Sequence, residues 1–209
     1  MRHDELWHHI HQERRALAGH LAGLSPGDWE HESLCPGWTV LDVAAHVISN
    51  PQVGGRKILG MVGRNLGRGY NTMIFRETKR WSRDQTPARI LEDFDRYDGS
   101  TRHVPLTTSV EPLLDVIVHS QDILRPLGIA YAANPEAAAV AADRARLHAS
   151  YMGWGRAKKY RLVATDLDWT RGKGPTVEGP VNELLMLSTG RDPDWTLLTL
   201  AAEASQMKA

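Results

Sequence analysis

Apolar positions recur at helical spacing along most of this chain. In residues 4–23, Leu6, Ile10, Leu17 and Leu21 fall near one face of a helix. The stretch LSPGDW (24–29) then breaks that helix with Pro and Gly. Thr39 followed three residues later by Asp42 has the form of a capping box, and an apolar run continues to about Ile48, so a second helix starts there. Residues 60–86 are rich in Gly, Arg and Asn and predict a long loop with helical pieces. A third helix is expected over 86–97, with Pro87 in its first turn. A fourth runs from Ser109 to about Leu127, ended by Gly128, and the Ala-rich stretch 134–152 is also helical. The period then changes. Residues 158–172 alternate as a strand or hairpin does, while 179–191 and 193–204 read as two short helices. The pattern predicts a mainly α fold: an antiparallel helical bundle over 1–155 and a small C-terminal α/β region over 156–209.

Composition narrows this picture. With 209 residues, 42% of them hydrophobic, the chain can bury a core of its own. Lys and Arg number 25, as do Asp and Glu, so whole-chain charge predicts neither a nucleic-acid nor a membrane partner. No apolar run approaches the roughly 18 residues of a membrane span, and the first residues carry no apolar signal core. A cytoplasmic protein is expected. Cys35 is the only cysteine, which excludes an internal disulfide and fits a reducing compartment. With no cationic neighbour in the sequence, Cys35 reads as a small buried apolar residue rather than a nucleophile.

Two apolar segments repeat one phrase: Leu41-Asp42-Val43-Ala44-Ala45-His46 and Leu114-Asp115-Val116-Ile117-Val118-His119. Residues four apart share a helix face. One stripe then holds Glu111, Asp115, His119 and Asp122; another holds Thr39, Asp42, His46 and Asn50. A polar stripe ordinarily faces water. These stripes are thin, and a thin stripe also fits a bundle crevice, where carboxylate and imidazole must be hydrogen-bonded or metal-bound. Imidazole and carboxylate suit a divalent transition metal. Three protein ligands with one open position are the catalytic zinc arrangement. An i, i+4 pair plus one ligand from a neighbouring helix would supply them. His8, His9, His11 and His20 stand on a charged amphipathic helix and read as solvated or partnered side chains.

The segments CPGWTVLDVAAHV (35–47), LLDVIVHSQDILRPLG (113–128) and YRLVATDLDWTRGKGP with GPVNELLMLSTGR (160–191) resemble the mycothiol-dependent maleylpyruvate isomerase family of the DinB-like superfamily. The resemblance implies a DinB-like four-helix bundle, a divalent metal that is usually zinc, and mycothiol as thiol cosubstrate. By motif it implies His46, Asp115 and His119 as metal ligands, with Asp115 standing where the isomerase has a glutamate. Asp42 would either serve the capping box or hydrogen-bond to His46. The implied partners are a small-molecule thiol and a small electrophilic substrate, anchored by Arg76, Arg80, Arg83, Arg171 or Arg191. The superfamily also implies a possible homodimer. A non-catalytic metal-binding or stress-response module would keep the same fold. So would a metal-dependent hydrolase, for which Asp42, Asp122 and Glu111 are the available bases.

Overall fold

Helix α1 (His3–Ala22) turns Leu6, Ile10, Leu17 and Leu21 inward, as its periodicity predicts. The computed structural model describes residues 1–201, and for residues 150 and 151 the backbone only. Within the expected break lies a short helix, α2 (Pro26–Glu30), capped by Ser25, whose Oγ accepts from the Asp28 N–H. Helix α3 (Val40–Ser49) begins at the Thr39 box: the Asp42 carboxylate accepts from the Thr39 N–H at 2.9 Å, and Thr39 Oγ1 accepts from the Asp42 N–H. This exchange satisfies two of the amide donors that a helix start leaves over.

The expected long loop is instead two helices, α4 (Gly55–Arg64) and α5 (Tyr70–Ser82). Glycines at 54, 55, 60, 63, 67 and 69 lower local helix propensity and mask the apolar spacing of Ile58, Leu59, Met61 and Val62. Helix α6 (Pro87–Arg96) is capped by Thr86, and α7 (Glu111–Leu124) follows. Helix α7 stops before the expected Leu127; a turn closes through Gly128, whose positive φ of 68° favours glycine.

Helix α1 packs on α7 and α6, and α3 packs on the same two, so these four close a ring around one core. The ring is the expected four-helix bundle. Leu113, Val116, Ile117, Ile123 and Leu124 of α7 are wholly buried in it. Each such side chain stabilises the fold by about 1.5–3 kcal/mol relative to exposure. Helix α5 lies on α3, and α4 on α5.

The chain divides into two compact units after Tyr131. Helix α8 (Pro135–Met152) belongs to the second unit because its alanine face packs on α9 (Val181–Ser188). That unit also carries β1 (Arg161–Ala164), β2 (Thr170–Arg171), β3 (Thr176–Gly179) and β4 (Thr199–Leu200), ordered β2-β1-β3-β4. The hairpin expected at 158–172 is β1 with antiparallel β2; β3 runs parallel to β1, pairing Leu162 with Val177, both buried. The helix expected over 193–204 is not formed: Trp195–Leu197 is a single tight turn, β4 follows, and residues 202–204 lie outside the described part. No helix among the described residues is long and apolar enough to cross a membrane.

Candidate metal centre

The turn before α3 builds one wall of the site. The Trp38 N–H donates to the Cys35 carbonyl at 3.0 Å, closing a four-residue turn with Pro36 second and Gly37 third. Gly37 has φ of 75°, which this turn type demands of its third residue. A side chain there would also meet the Phe75 ring at 3.2 Å. The turn sets the Trp38 ring 5.2 Å from His46 and 6.3 Å from His119, with Phe75 of α5 stacked on it at 6.4 Å. The indole Nε1 of Trp38 is buried without a hydrogen-bond partner.

Behind this aromatic wall the predicted trio comes together. His46 of α3 and Asp115 and His119 of α7 each offer a ligand atom within 4.8 Å of the other two. The two imidazoles meet edge to face, 5.0 Å between centroids. Each of the three is held from behind by another residue. Thr78 Oγ1 of α5 lies 3.3 Å from His46 Nδ1. Asn50 Nδ2 donates to Asp115 Oδ2 at 3.1 Å. Asp122 Oδ2 lies 2.8 Å from His119 Nδ1. These contacts engage one nitrogen of each imidazole and one oxygen of the carboxylate. Metal-ligating histidines are oriented in this way, by a hydrogen bond at the nitrogen that does not bind. Two imidazoles and a carboxylate are donors that suit a divalent ion such as zinc.

Protonation follows the same geometry. Burial, with some help from His119, drives His46 down to about 3, so it is neutral and able to accept. Burial opposes charge on His119 as well, yet the hydrogen bonds to Asp122 and Cys35 outweigh it and raise this imidazole to about 10. Burial also pushes the Asp115 carboxyl above its ordinary range, partly opposed by His119 and Asn50.

Cys35 corrects the sequence reading. Its Sγ donates to Asp122 Oδ2 at 3.1 Å and sits 3.7 Å from His119 Nδ1. Half-buried, it lies at the centre and does have an imidazole beside it. Cys35, His119 and Asp122 thus form a second group of donors, also within 4.8 Å of one another. The chain separation of 84 residues hid this contact. Thr78 escaped notice because it lay in the supposed loop.

Other candidates stand elsewhere. Asp42 serves the Thr39 box and accepts from Lys79 Nζ at 2.6 Å and from Ser82 Oγ, both on α5; no hydrogen bond links it to His46. Glu111, in the first turn of α7, accepts from the Thr108 N–H at 2.8 Å. Arg76, Arg80 and Arg83 are exposed. In the second unit Arg171 is paired with Asp143 at 2.7 Å, and Arg191 donates to the Thr189 carbonyl. On α1, His11 Nε2 lies 3.2 Å from the Ser100 carbonyl, His20 faces the Tyr131 ring, and His8 and His9 lie edge to face.

The comparisons agree with this architecture. Over 97% of its length the chain superposes on the crystal structure of the mycothiol-dependent maleylpyruvate isomerase, with TM-score 0.60, 15% identity and 94% of that chain covered. A histidine-to-alanine mutant of that isomerase superposes at TM-score 0.57 and 14% identity, with the same coverage. At such identity the likeness is one of fold. No curated protein matches the chain by sequence. The family model described as the mycothiol maleylpyruvate isomerase N-terminal domain matches residues 10–104, a span that holds Cys35, Trp38, His46, Asn50 and Thr78 and stops short of α7. Over that span, which runs from within α1 through α6, the chain is similar to the mycothiol maleylpyruvate isomerase N-terminal domain family.

Proposed function

We propose that this protein is a metal-dependent enzyme that uses a low-molecular-weight thiol, mycothiol by family, to isomerise a small electrophilic substrate or to transfer sulfur to it. One observation carries the reading: His46, Asp115 and His119 bring donor atoms within 4.8 Å of one another, and each residue is held by a hydrogen-bonding partner of its own. Such an arrangement costs desolvation unless something accepts those donors. The family match and the shared fold point to the same chemistry.

The trio would hold the ion, zinc by expectation, and a bound ion of this kind lowers the pKa of a coordinated thiol. Everything else is done by the chain. Asp122 fixes the His119 ring and keeps a proton on Nδ1. Thr78 fixes His46. The Cys35 S–H is engaged by Asp122, so the reacting sulfur comes from the cosubstrate. Trp38 and Phe75 give the site an apolar wall on one side. In isomerisation the thiolate adds to a conjugated C=C, the resulting single bond rotates, and the C–S bond breaks with return of the electron pair to sulfur. The thiol is regenerated. In transfer the C–S bond persists, a proton goes to carbon, and one thiol is consumed for each product.

The test is a thiol-dependent assay on metal-loaded protein, with mycothiol and either maleylpyruvate or a generic electrophile. Turnover that needs the thiol, stops with chelator and is lost in His119→Ala supports the proposal. Intact metal binding without turnover on any electrophile would instead leave a metal-binding module.

A further inference from the structure

Neutrality of the whole chain conceals an uneven distribution. From residue 54 to residue 83 there are eight Lys and Arg and one acid, Glu77; the other residues carry 17 basic against 24 acidic side chains. This segment is α4, α5 and the turn between them. Three of its cations are engaged. Arg64 pairs with Glu77 at 2.6 Å, Lys79 with Asp42 at 2.6 Å, and Lys57 lies 4.2 Å over the Trp81 ring. The other five, Arg56, Arg68, Arg76, Arg80 and Arg83, are exposed and make no ion pair among the described residues.

The same segment shows apolar surface. Helix α4 buries none of its residues. Leu59 and Val62 lie at i and i+3 on α4 and Leu66 follows in the turn just after it; they are 74%, 47% and 75% exposed. Arg56 flanks this surface, while Lys57 and Arg64 turn to α5. An apolar surface left in water on a short helix and the turn after it, within a strongly cationic segment, calls for an occupant that is both apolar and anionic.

We propose that α4 docks this protein on the surface of an anionic lipid bilayer. The Leu59–Val62–Leu66 surface enters the boundary between headgroups and acyl chains, and the free arginines meet the lipid phosphates. Two other occupants fit the surface less well. A symmetric second copy would bring this cationic segment against itself. A nucleic acid would engage the arginines and leave the leucines in water. The expectation of no membrane partner rested on charge averaged over the chain, and the average erases the sign of this segment. The inference is independent of the metal centre.

The experiment is co-sedimentation of the full-length protein with vesicles of phosphatidylcholine alone or mixed equally with phosphatidylglycerol, at low and high salt. Binding is expected to the mixed vesicles only and to weaken with salt. Arg56→Ser with Arg68→Ser should weaken the partition coefficient by about 25-fold, roughly fivefold per cation. Leu59→Ser with Leu66→Ser should weaken it at least about tenfold, with helix content and melting temperature unchanged since both side chains are exposed. Equal binding to neutral vesicles, undiminished binding of the leucine variant, or no binding by the wild type overturns the proposal. So does a dimer that the leucine variant abolishes, or affinity for duplex DNA equal to that for mixed vesicles.

Discussion

At Asp115 the chain carries one methylene fewer than the glutamate that its family resemblance leads one to expect. The shorter arm still brings its oxygen within 4.8 Å of both imidazole donors, so the backbone of α7 already stands where an aspartate is needed. Asp115→Glu is therefore expected to crowd the centre and weaken metal binding, and Asp115→Ala to weaken it far more. A chelator competition on the three proteins measures the order; equal affinity of wild type and Asp115→Ala would remove Asp115 from the ligand set. His119 adds a proton to the account. Held protonated up to about 10, it must lose one proton before it can accept an ion. Metal affinity should thus rise about tenfold per pH unit between 7 and 9, with about one proton released per ion, read by titration in weak buffer. Asp122→Asn removes the anchor of that ring and should reduce metal affinity by about 10–100-fold. Cys35→Ala should retain the ion and the thiol-dependent activity, because Asp122 still holds His119; loss of turnover with metal intact would place the nucleophile inside the chain.

Among the elements, α3 and α7 were legible from the sequence for a local reason. A capping box and an i, i+4 pair are short-range patterns, and helix geometry alone converts them into shared faces. Thr39 Oγ1 and Asp42 make the expected exchange, and Thr39→Ala should cost about 1 kcal/mol of stability in denaturant unfolding. Helices α4 and α5 were not legible, since their glycines obscure the period, and with them went Thr78. Contacts across long separations, such as Cys35 with Asp122, depend on how α7 packs beside the turn before α3 and leave no local trace. The same limit explains β4. Trp195–Leu197 has helical spacing, but Thr199 and Leu200 add to the edge at β3, and that tertiary pairing overrides the local preference.

For the molecule as a whole, the helical bundle was readable from the sequence, while the packing partner of α8 was not. An alanine-rich helix shows that it packs closely, not on which neighbour; α9 claims α8 for the second unit. All three candidate ligands, and Thr78, Asn50 and Asp122 behind them, lie before Tyr131. Residues 1–131 alone are therefore expected to be helical and to bind about one divalent ion per chain. Circular dichroism and elemental analysis of that fragment check it, and a fragment that folds but binds no metal would overturn the expectation.

His119 belongs to two sets of donors at once, one completed by His46 and Asp115, the other by Cys35 and Asp122. Oxygen and nitrogen dominate the first set, and sulfur distinguishes the second. A thiophilic ion such as cadmium therefore finds its preferred atom in the second set, and drawing His119 toward it would loosen the arrangement proposed for zinc. Poisoning by heavy metals would here be a contest over one imidazole, visible as thiolate-to-cadmium absorption that vanishes in Cys35→Ala.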